Sequence, residues 1–477
     1  MVRLKFLATT TTGFEYAVCH ELQQSELPSL CLDGSNKKCS GRVSFSVAAE
    51  SEQSIEETLG KLLSFISVKR FYVIAGEVEL PDFPSVEADD AKSEALRRLE
   101  ELPAAVGAGW HDAFSLWKQW RQASGDVVSS SPSFRVTCCR GRSHPFSAEE
   151  AARIVAARVE EIETSWRPCL VDFEVEVVIH VHFSIATLGF SLTRGGRQRF
   201  EISQNEEEKR QQGAEMQQRL RGATTLQKDL AYGMLVAASL GSWNILIDPM
   251  CGSNVIAETA LHLGVKYCLV GDYAPVAIEK TAHNAKLLPR EMQCRLDICR
   301  WDCRRLPLRD SVVEALVTDM PFGKRIGSEG RNASLYPAVL GEFLRVSQLR
   351  RGQPSGVVVL LTRAAFPVKR ELRKVLSLKV KNHWGEEVGK GWATTKTHSV
   401  NRGGLDCNVF VLRPRAAIVR EPTSQEHGHR VKDNTAFEKK LAHSKSSCSC
   451  WHWLKRFFCH GHTESRQKYL NQNNKIK

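Results

Sequence analysis

The 477-residue sequence predicts an α/β protein: a mainly parallel sheet covered on both faces, preceded by two smaller α+β units. Three observations carry this. From Asn244 onward, short apolar runs alternate with Gly- or Pro-bearing turns and amphipathic stretches, the pattern of strand–helix–strand crossovers. Before residue 193, apolar residues repeat in period two in some stretches and every three to four residues in others. Four exits from strands in the second half carry an aspartate, where open α/β sheets place their chemistry.

The elements follow in order. In residues 1–133, Phe6–Thr10 reads as a strand, Phe14–Leu22 as a helix and Gly41–Val47 as an alternating strand. Ile55–Ile66 suits an amphipathic helix and Val68–Ile74 a strand. Pro81–Gly125 is helical and interrupted; Trp110, Trp117 and Trp120 fall near one face, as core residues do more often than a base-stacking platform. Ser129–Ser133 marks a linker. In residues 134–200, Phe134–Cys139 is a strand, and Ser147 with Glu150 opens a helix as a capping box. Val171–Val181 and Ile185–Leu192 are two further strands. This unit carries no acid–base or metal set, so its expected use is binding; Arg135, Arg140 and Arg142 either meet phosphates or are scattered surface charges. In residues 201–415, Thr224–Leu235 is a helix, followed by strands at Asn244–Ile247, Tyr267–Val270, Leu296–Cys299, Val312–Val317, Val357–Leu361 and Cys407–Leu412. Helices at Val255–Leu263 and Pro275–Leu287 separate the first of these.

Composition bounds the class. Hydrophobic residues are 42% and charged residues 25%, ordinary for globular domains. No apolar run approaches the roughly 20 residues of a membrane span, and the apolar start at Met1–Leu7 stops at Thr9–Gly13, so neither a membrane anchor nor a signal peptide is expected. Fifteen scattered cysteines, an odd number, point to thiols kept reduced in cytosol or nucleus. The net charge of +12 favours a polyanionic partner. Residues 416–477 hold 12 Lys and Arg against 5 Asp and Glu, and read as a basic, unstructured tail or a nucleic-acid contact. The tail's Cys448, Cys450, His452, Cys459, His460 and His462 match no standard zinc spacing, and no metal site is assigned.

The chemistry gathers at the strand ends. Asp248-Pro249-Met250-Cys251-Gly252 is a Gly-bearing turn opening a helix, where backbone amides favour oxygen ligands. Asp272 follows twenty-four residues later at the next strand's end, placed to accept from two ribose hydroxyls. Asp302, after Trp301, is suited to accept from the exocyclic amine of an adenine. Thr318-Asp319-Met320-Pro321-Phe322-Gly323-Lys324-Arg325 can hold a planar amine. The Asp319 carboxylate and the Pro321 or Met320 carbonyl accept its hydrogens, Phe322 stacks on its ring, and Lys324 and Arg325 clamp phosphate. Alone, that octapeptide is as well explained as a strand exit stopped by proline. Cys251 reads as a small packing residue, not a nucleophile.

These turns, with Gly222–Leu226, Leu230–Leu235 and Leu306-Pro307-Leu308-Arg309, resemble the motifs of the THUMP-domain RNA guanine-N2 methyltransferases. Residues 134–193 resemble the THUMP domain, and the preceding unit its ferredoxin-like companion. The resemblance spans about residues 1–415. It implies a Rossmann-like class I methyltransferase domain and S-adenosylmethionine as donor, bound by Asp248, Met250, Gly252, Asp272 and Asp302. It implies transfer RNA as substrate, methylated at guanine N2 near acceptor-stem position six, with Asp319, Pro321 and Phe322 as the catalytic turn. It also implies a small zinc-binding activator subunit as partner. One position departs: Asn254 stands where the family has a second glycine, and the turn survives only if Asn takes a left-handed backbone. Other substrates compatible with the turn are a small nuclear or ribosomal RNA or a protein amide. A chain that holds RNA without catalysis is the remaining reading.

Overall fold

The computed structural model describes residues 2–32, 40–49, 51–81, 88–141, 144–192, 225–239, 245–321, 329–347, 349–350, 353–354, 356–363, 380–381, 387–388, 392–402 and 405–414. It divides into two compact units: Met1–Met216 with Lys228–Gly233 and Val400–Gly404, and Gln217–Gln227 with Met234–Ser399 and Leu405–Lys477.

The first unit is built on strands β1 (Val2–Thr9), β2 (Cys31–Leu32), β3 (Arg42–Ala49), β4 (Arg70–Glu79), β5 (Ser133–Arg140), β6 (Arg167–Pro168), β7 (Val175–His182) and β8 (Ile185–Ser191). Its helices are α1 (Glu15–Gln24), α2 (Glu52–Leu63), α3 (Ala88–Ala105), α4 (Ala108–Ala123) and α5 (Ala148–Ile162). The strands form one sheet in the order β2-β3-β1-β4-β8-β7-β5-β6. The two amino-terminal units expected from the sequence therefore share a sheet, joined where β4 pairs antiparallel with β8. Period-two alternation puts Phe6, Phe45, Phe71, Phe134, Ile179 and Phe190 into one core cluster. Trp110, Trp117 and Trp120 lie in that cluster, and the Trp117 indole donates to the Ser191 carbonyl at 3.0 Å, so they are core residues as expected. The capping box forms as read: the Glu150 amide donates to Ser147 Oγ at 3.0 Å and the Ser147 amide to Glu150 Oε2 at 2.7 Å.

The second unit holds β9 (Ile245–Asp248), β10 (Tyr267–Asp272), β11 (Leu296–Arg300), β12 (Ala315–Asp319), β15 (Val357–Arg363), β18 (Trp392–Arg402) and β19 (Leu405–Pro414). Two-residue ladders pair β13 (Leu349–Arg350) with β14 (Gln353–Pro354), and β16 (Val380–Lys381) with β17 (Glu387–Val388). Helix α6 (Lys228–Ala237) precedes β9. Then come α7 (Val255–His262), α8 (Pro275–Lys286), α9 (Arg290–Gln293) and α10 (Glu329–Val346). The sheet order is β11-β10-β9-β12-β15-β19-β18. The chain moves outward from β9 through β10 to β11, then returns to lay β12 on the other side of β9, all in parallel register. Next, β15 pairs parallel with β12, and β19 reverses, pairing antiparallel with β15. Strands buried on both faces read as continuous apolar runs, which is why β9, β10, β12 and β15 were legible.

Several boundaries shift by a few residues, as at Glu52–Leu63 for the expected Ile55–Ile66 and Lys228–Ala237 for the expected Thr224–Leu235; two have a visible cause. The strand expected at Val312–Val317 is Ala315–Asp319, because Val312 and Val313 bond instead to the Val346 carbonyl at the end of α10. The strand expected from Val171 starts at Val175; Leu170 and Val171 are exposed. The tail from residue 416 lies outside the described residues. Among the described residues no helix is long and apolar enough to cross a membrane.

Candidate functional site

The sheet order reverses between β9 and β12, which opens a crevice at their carboxyl ends, the place where doubly wound sheets bind ligands. Asp248 ends β9 and Asp319 ends β12, so the two carboxylates flank that point. Asp248 is 1% exposed. It is held by two donors: the Thr318 hydroxyl on β12 at 2.7 Å and the Met250 amide at 3.2 Å, both to Oδ1. Burial pushes its carboxyl up to about 7; these two hydrogen bonds oppose the rise, and the charges of Asp272 and Asp319 add to it.

The turn after β9 is clamped from three sides. The Gly252 amide donates to Asp272 Oδ2 at 3.2 Å, linking the ends of β9 and β10. From α8, Thr281 donates to the Gly252 carbonyl at 3.0 Å and Asn284 to the Ser253 carbonyl at 2.9 Å. The third clamp is Trp301, past β11, whose indole donates to the Pro249 carbonyl at 3.0 Å. Gly271 makes this possible: a Cβ there would lie 2.4 Å from the Trp301 ring and 2.3 Å from the Cys299 carbonyl. Gly252 has φ 55°, and a Cβ there would meet nothing within 4 Å, so the turn has open space beside it. Asn254 takes φ 71° and ψ 22°, the left-handed conformation that the second glycine would otherwise supply. The turn therefore keeps its shape. Cys251 is buried, with its thiol pushed well above its ordinary range mainly by that burial, which fits a packing role.

Asp272 also accepts from the Ala274 amide at 3.0 Å, and its own carbonyl accepts from the Trp301 amide at 3.2 Å. Asp302 is half-exposed, and Arg304 grips its carboxylate at 2.6 to 3.0 Å. The hydrogen bonds from Arg304 hold the Asp302 carboxyl below the usual range. On β12, Asp319 is half-buried, and the following Met320 amide bonds the Leu361 carbonyl at 2.9 Å. The Pro321 carbonyl accepts from the Tyr336 hydroxyl at 3.0 Å.

The structure thus brings Asp248, Met250, Gly252 and Asp272 into one bonded turn; Asp302 follows β11 and Asp319 and Pro321 lie at the end of β12, on the same carboxyl edge of the sheet with β10 and β9 between them. Phe322, Lys324 and Arg325 lie outside the described residues, as does Arg142. Arg135 and Arg140 belong to the first unit. Arg135 pairs with the buried Glu176 at 2.9 Å and lies 4.3 Å from the Phe173 ring, and Arg140 donates to the carbonyls of Gly141 and His144. The roles of Thr318, Thr281, Asn284 and Tyr336 were not assigned from the sequence. Thr318 was visible as the residue before Asp319; the other three sit on helices, where polar residues have no signature of their own.

Residues 217–390 match the family model of the UPF0020, RMKL-like methyltransferase domain. The matched stretch, about a third of the chain, falls on the doubly wound unit, which is thus similar to a methyltransferase domain. The chain is 28% identical to the Mus musculus tRNA (guanine(6)-N(2))-methyltransferase THUMP3, over 88% of this chain and 90% of that one. It is 35% identical to the Bos taurus protein of the same name, over 62% of this chain and 54% of that one. The crystal structure of TrmN from Thermus thermophilus superposes with a TM-score of 0.57 at 23% identity, covering 86% of this chain and 99% of that one, and shares the fold. The chain is similar to these THUMP3 methyltransferases, the resemblance that its strand-end motifs implied.

Proposed function

We propose that this chain methylates the exocyclic N2 of a guanosine in transfer RNA, with S-adenosylmethionine as donor. The observation that carries the reading is the pairing of two carboxylate-bearing strand ends across the switch point: Asp248 with its clamped glycine turn on one side, Asp319 with its proline turn on the other. The relatives named above are guanine-N2 enzymes acting on transfer RNA, and the mouse name specifies guanine 6.

The residues suit the donor. The open space beside Gly252 admits a ligand against the backbone, and Asp272 at the end of β10 is suited to ribose hydroxyls. Asp302, two residues past the end of the next strand, is suited to an adenine amine. When bound, S-adenosylmethionine supplies an electrophilic methyl group on a sulfonium. Asp319 accepts one hydrogen of the guanine amine and a turn carbonyl accepts the other. This favours a pyramidal nitrogen whose lone pair faces the donor, and the gain is one of orientation and preorganised charge. The base reaches the pocket by leaving its stem. The excess of positive charge assists RNA binding. A small zinc-binding activator subunit completes the proposed assembly.

The test is transfer of labelled methyl to transfer RNA, followed by nucleoside analysis, with and without that co-expressed subunit. Label in N2-methylguanosine is expected. Label in another nucleoside, in protein, or nowhere removes the reading. Asp319→Ala is expected to lower the rate at least a hundredfold while calorimetry shows donor binding retained.

A further inference from the structure

Tyr336, on α10, is a buried residue that the reaction described above does not use. Its hydroxyl lies 3.0 Å from the Pro321 carbonyl and 2.7 Å from the Thr362 hydroxyl on β15. The proton inventory orders this chain. A carbonyl only accepts, so the single Tyr336 proton goes to Pro321, and Thr362 must donate to the Tyr336 oxygen. Burial pushes the Tyr336 hydroxyl up to about 12, so it remains a donor at every pH at which the fold is used. Thr362 is itself 1% exposed, one residue beyond Leu361, which pairs with Asp319 and receives the Met320 amide. The turn is therefore fixed at two successive residues: Met320 through its amide to β15, Pro321 through its carbonyl to Tyr336.

This arrangement separates the two carbonyls that could serve an amine. The Pro321 oxygen is already engaged with a buried hydroxyl. The Met320 carbonyl accepts no hydrogen bond from the described residues. We propose that Tyr336 is a positioning residue for the acceptor amine: it keeps the Pro321 carbonyl turned into the fold and leaves the Met320 carbonyl, with Asp319, to receive the two amine hydrogens. The inference rests on the guanine-amine reading given above and deepens it. It chooses between the two carbonyls that the sequence left open, Pro321 and Met320, in favour of Met320.

Two measurements test it on the full chain. In Tyr336→Phe the ring still fills its pocket, and only the hydrogen bond is lost. A fall in kcat of about tenfold is expected, with KM for donor and for transfer RNA within twofold, as for an interaction acting on orientation and not on uniform binding. Thr362→Val leaves the Tyr336–Pro321 bond in place and is expected to cost less. The second measurement uses carbonyl-13C methionine, which labels only 6 positions. Adding transfer RNA with S-adenosylhomocysteine is expected to move the Met320 resonance, identified by its loss in Met320→Leu. In proline-labelled protein the Pro321 resonance is expected to move on Tyr336→Phe substitution without RNA, and to stay still when RNA binds the wild type. A Pro321 resonance that moves on RNA binding while Met320 does not would overturn the assignment. So would a Tyr336→Phe enzyme whose kcat stays within twofold of an active wild type. A wild type that methylates no transfer RNA overturns the functional reading instead, and the two failures are thus told apart.

Discussion

Thr318 on β12 donates its hydroxyl hydrogen to Asp248 on β9 at 2.7 Å, across the point where the strand order reverses. The two residues lie seventy positions apart, yet this bond closes the base of the crevice. Both are essentially out of water, Thr318 at 0% and Asp248 at 1% exposure. Thr318→Val preserves the shape and removes the donor. A buried acceptor that loses a donor costs about 1–3 kcal/mol. The variant is expected to unfold at lower urea concentration by that amount and to bind the methyl donor less tightly, both measurable on one preparation.

Asp248 also sets a pH dependence. Its carboxyl is pushed up to about 7 in the fold, from an ordinary 3.8. Between these values the folded chain holds a proton that the unfolded chain has released. Stability from this group is therefore complete below about pH 4 and is lost as pH rises through about 7. Asp248→Asn keeps an oxygen for the Thr318 and Met250 donors and cannot titrate. Urea denaturation from pH 5 to pH 8 is expected to show a decline in the wild type that is shallower in the variant. Equal slopes would mean that Asp248 is ionised throughout.

Much of this site was legible because its parts are local in sequence. The aspartates at 248, 272 and 319 end apolar runs, and a run that stops at an acidic turn names its own strand end. Asn254 was legible as a departure but not as a solution: only the backbone shows it in the left-handed conformation. The clamps were not legible. Thr281 and Asn284 are two polar residues in an ordinary helix pattern, and what they hold is set by how α8 lies against the turn. The joining of the two amino-terminal units was hidden for a related reason, since the β4–β8 pairing connects strands more than a hundred residues apart. Local period shows a strand but not its neighbour.

Gly271 is the position where the site tolerates least. A methyl group there would meet both the Cys299 carbonyl and the Trp301 ring closer than any real contact. Neither can yield easily, because the carbonyl belongs to β11 and the indole is tied to Pro249. Gly271→Ala is expected to lower stability by about 1–3 kcal/mol, the range for overpacked cores. It should also release the turn after β9. Trp301→Phe makes space and loses only the indole bond, so the double variant is expected to be more stable than Gly271→Ala alone. Strictly additive losses in a double-mutant cycle would contradict the proposed clash.

Arg304 and Asp302 give the last prediction. The guanidinium covers both carboxylate oxygens of Asp302, the group proposed above to accept from the donor's adenine amine. The pair is solvent-facing, so its loss is expected to change stability by nothing measurable. Its effect lies in protonation. Arg304 holds the Asp302 carboxyl below the usual range, and so keeps it an acceptor as pH falls. In Arg304→Ala that support is gone, and the pH at which Asp302 takes up a proton rises. Donor affinity at neutral pH is expected to hold or to improve up to about threefold, because the carboxylate is released for the amine. On acidification the variant should lose affinity at a higher pH than the wild type does. Asp302→Ala should lose about tenfold at every pH and show no such step. Calorimetric titration of S-adenosylmethionine at pH 4, 5 and 7 into the three proteins reads all of these outcomes. An Asp302→Ala chain that binds the donor as tightly as the wild type would place the adenine elsewhere.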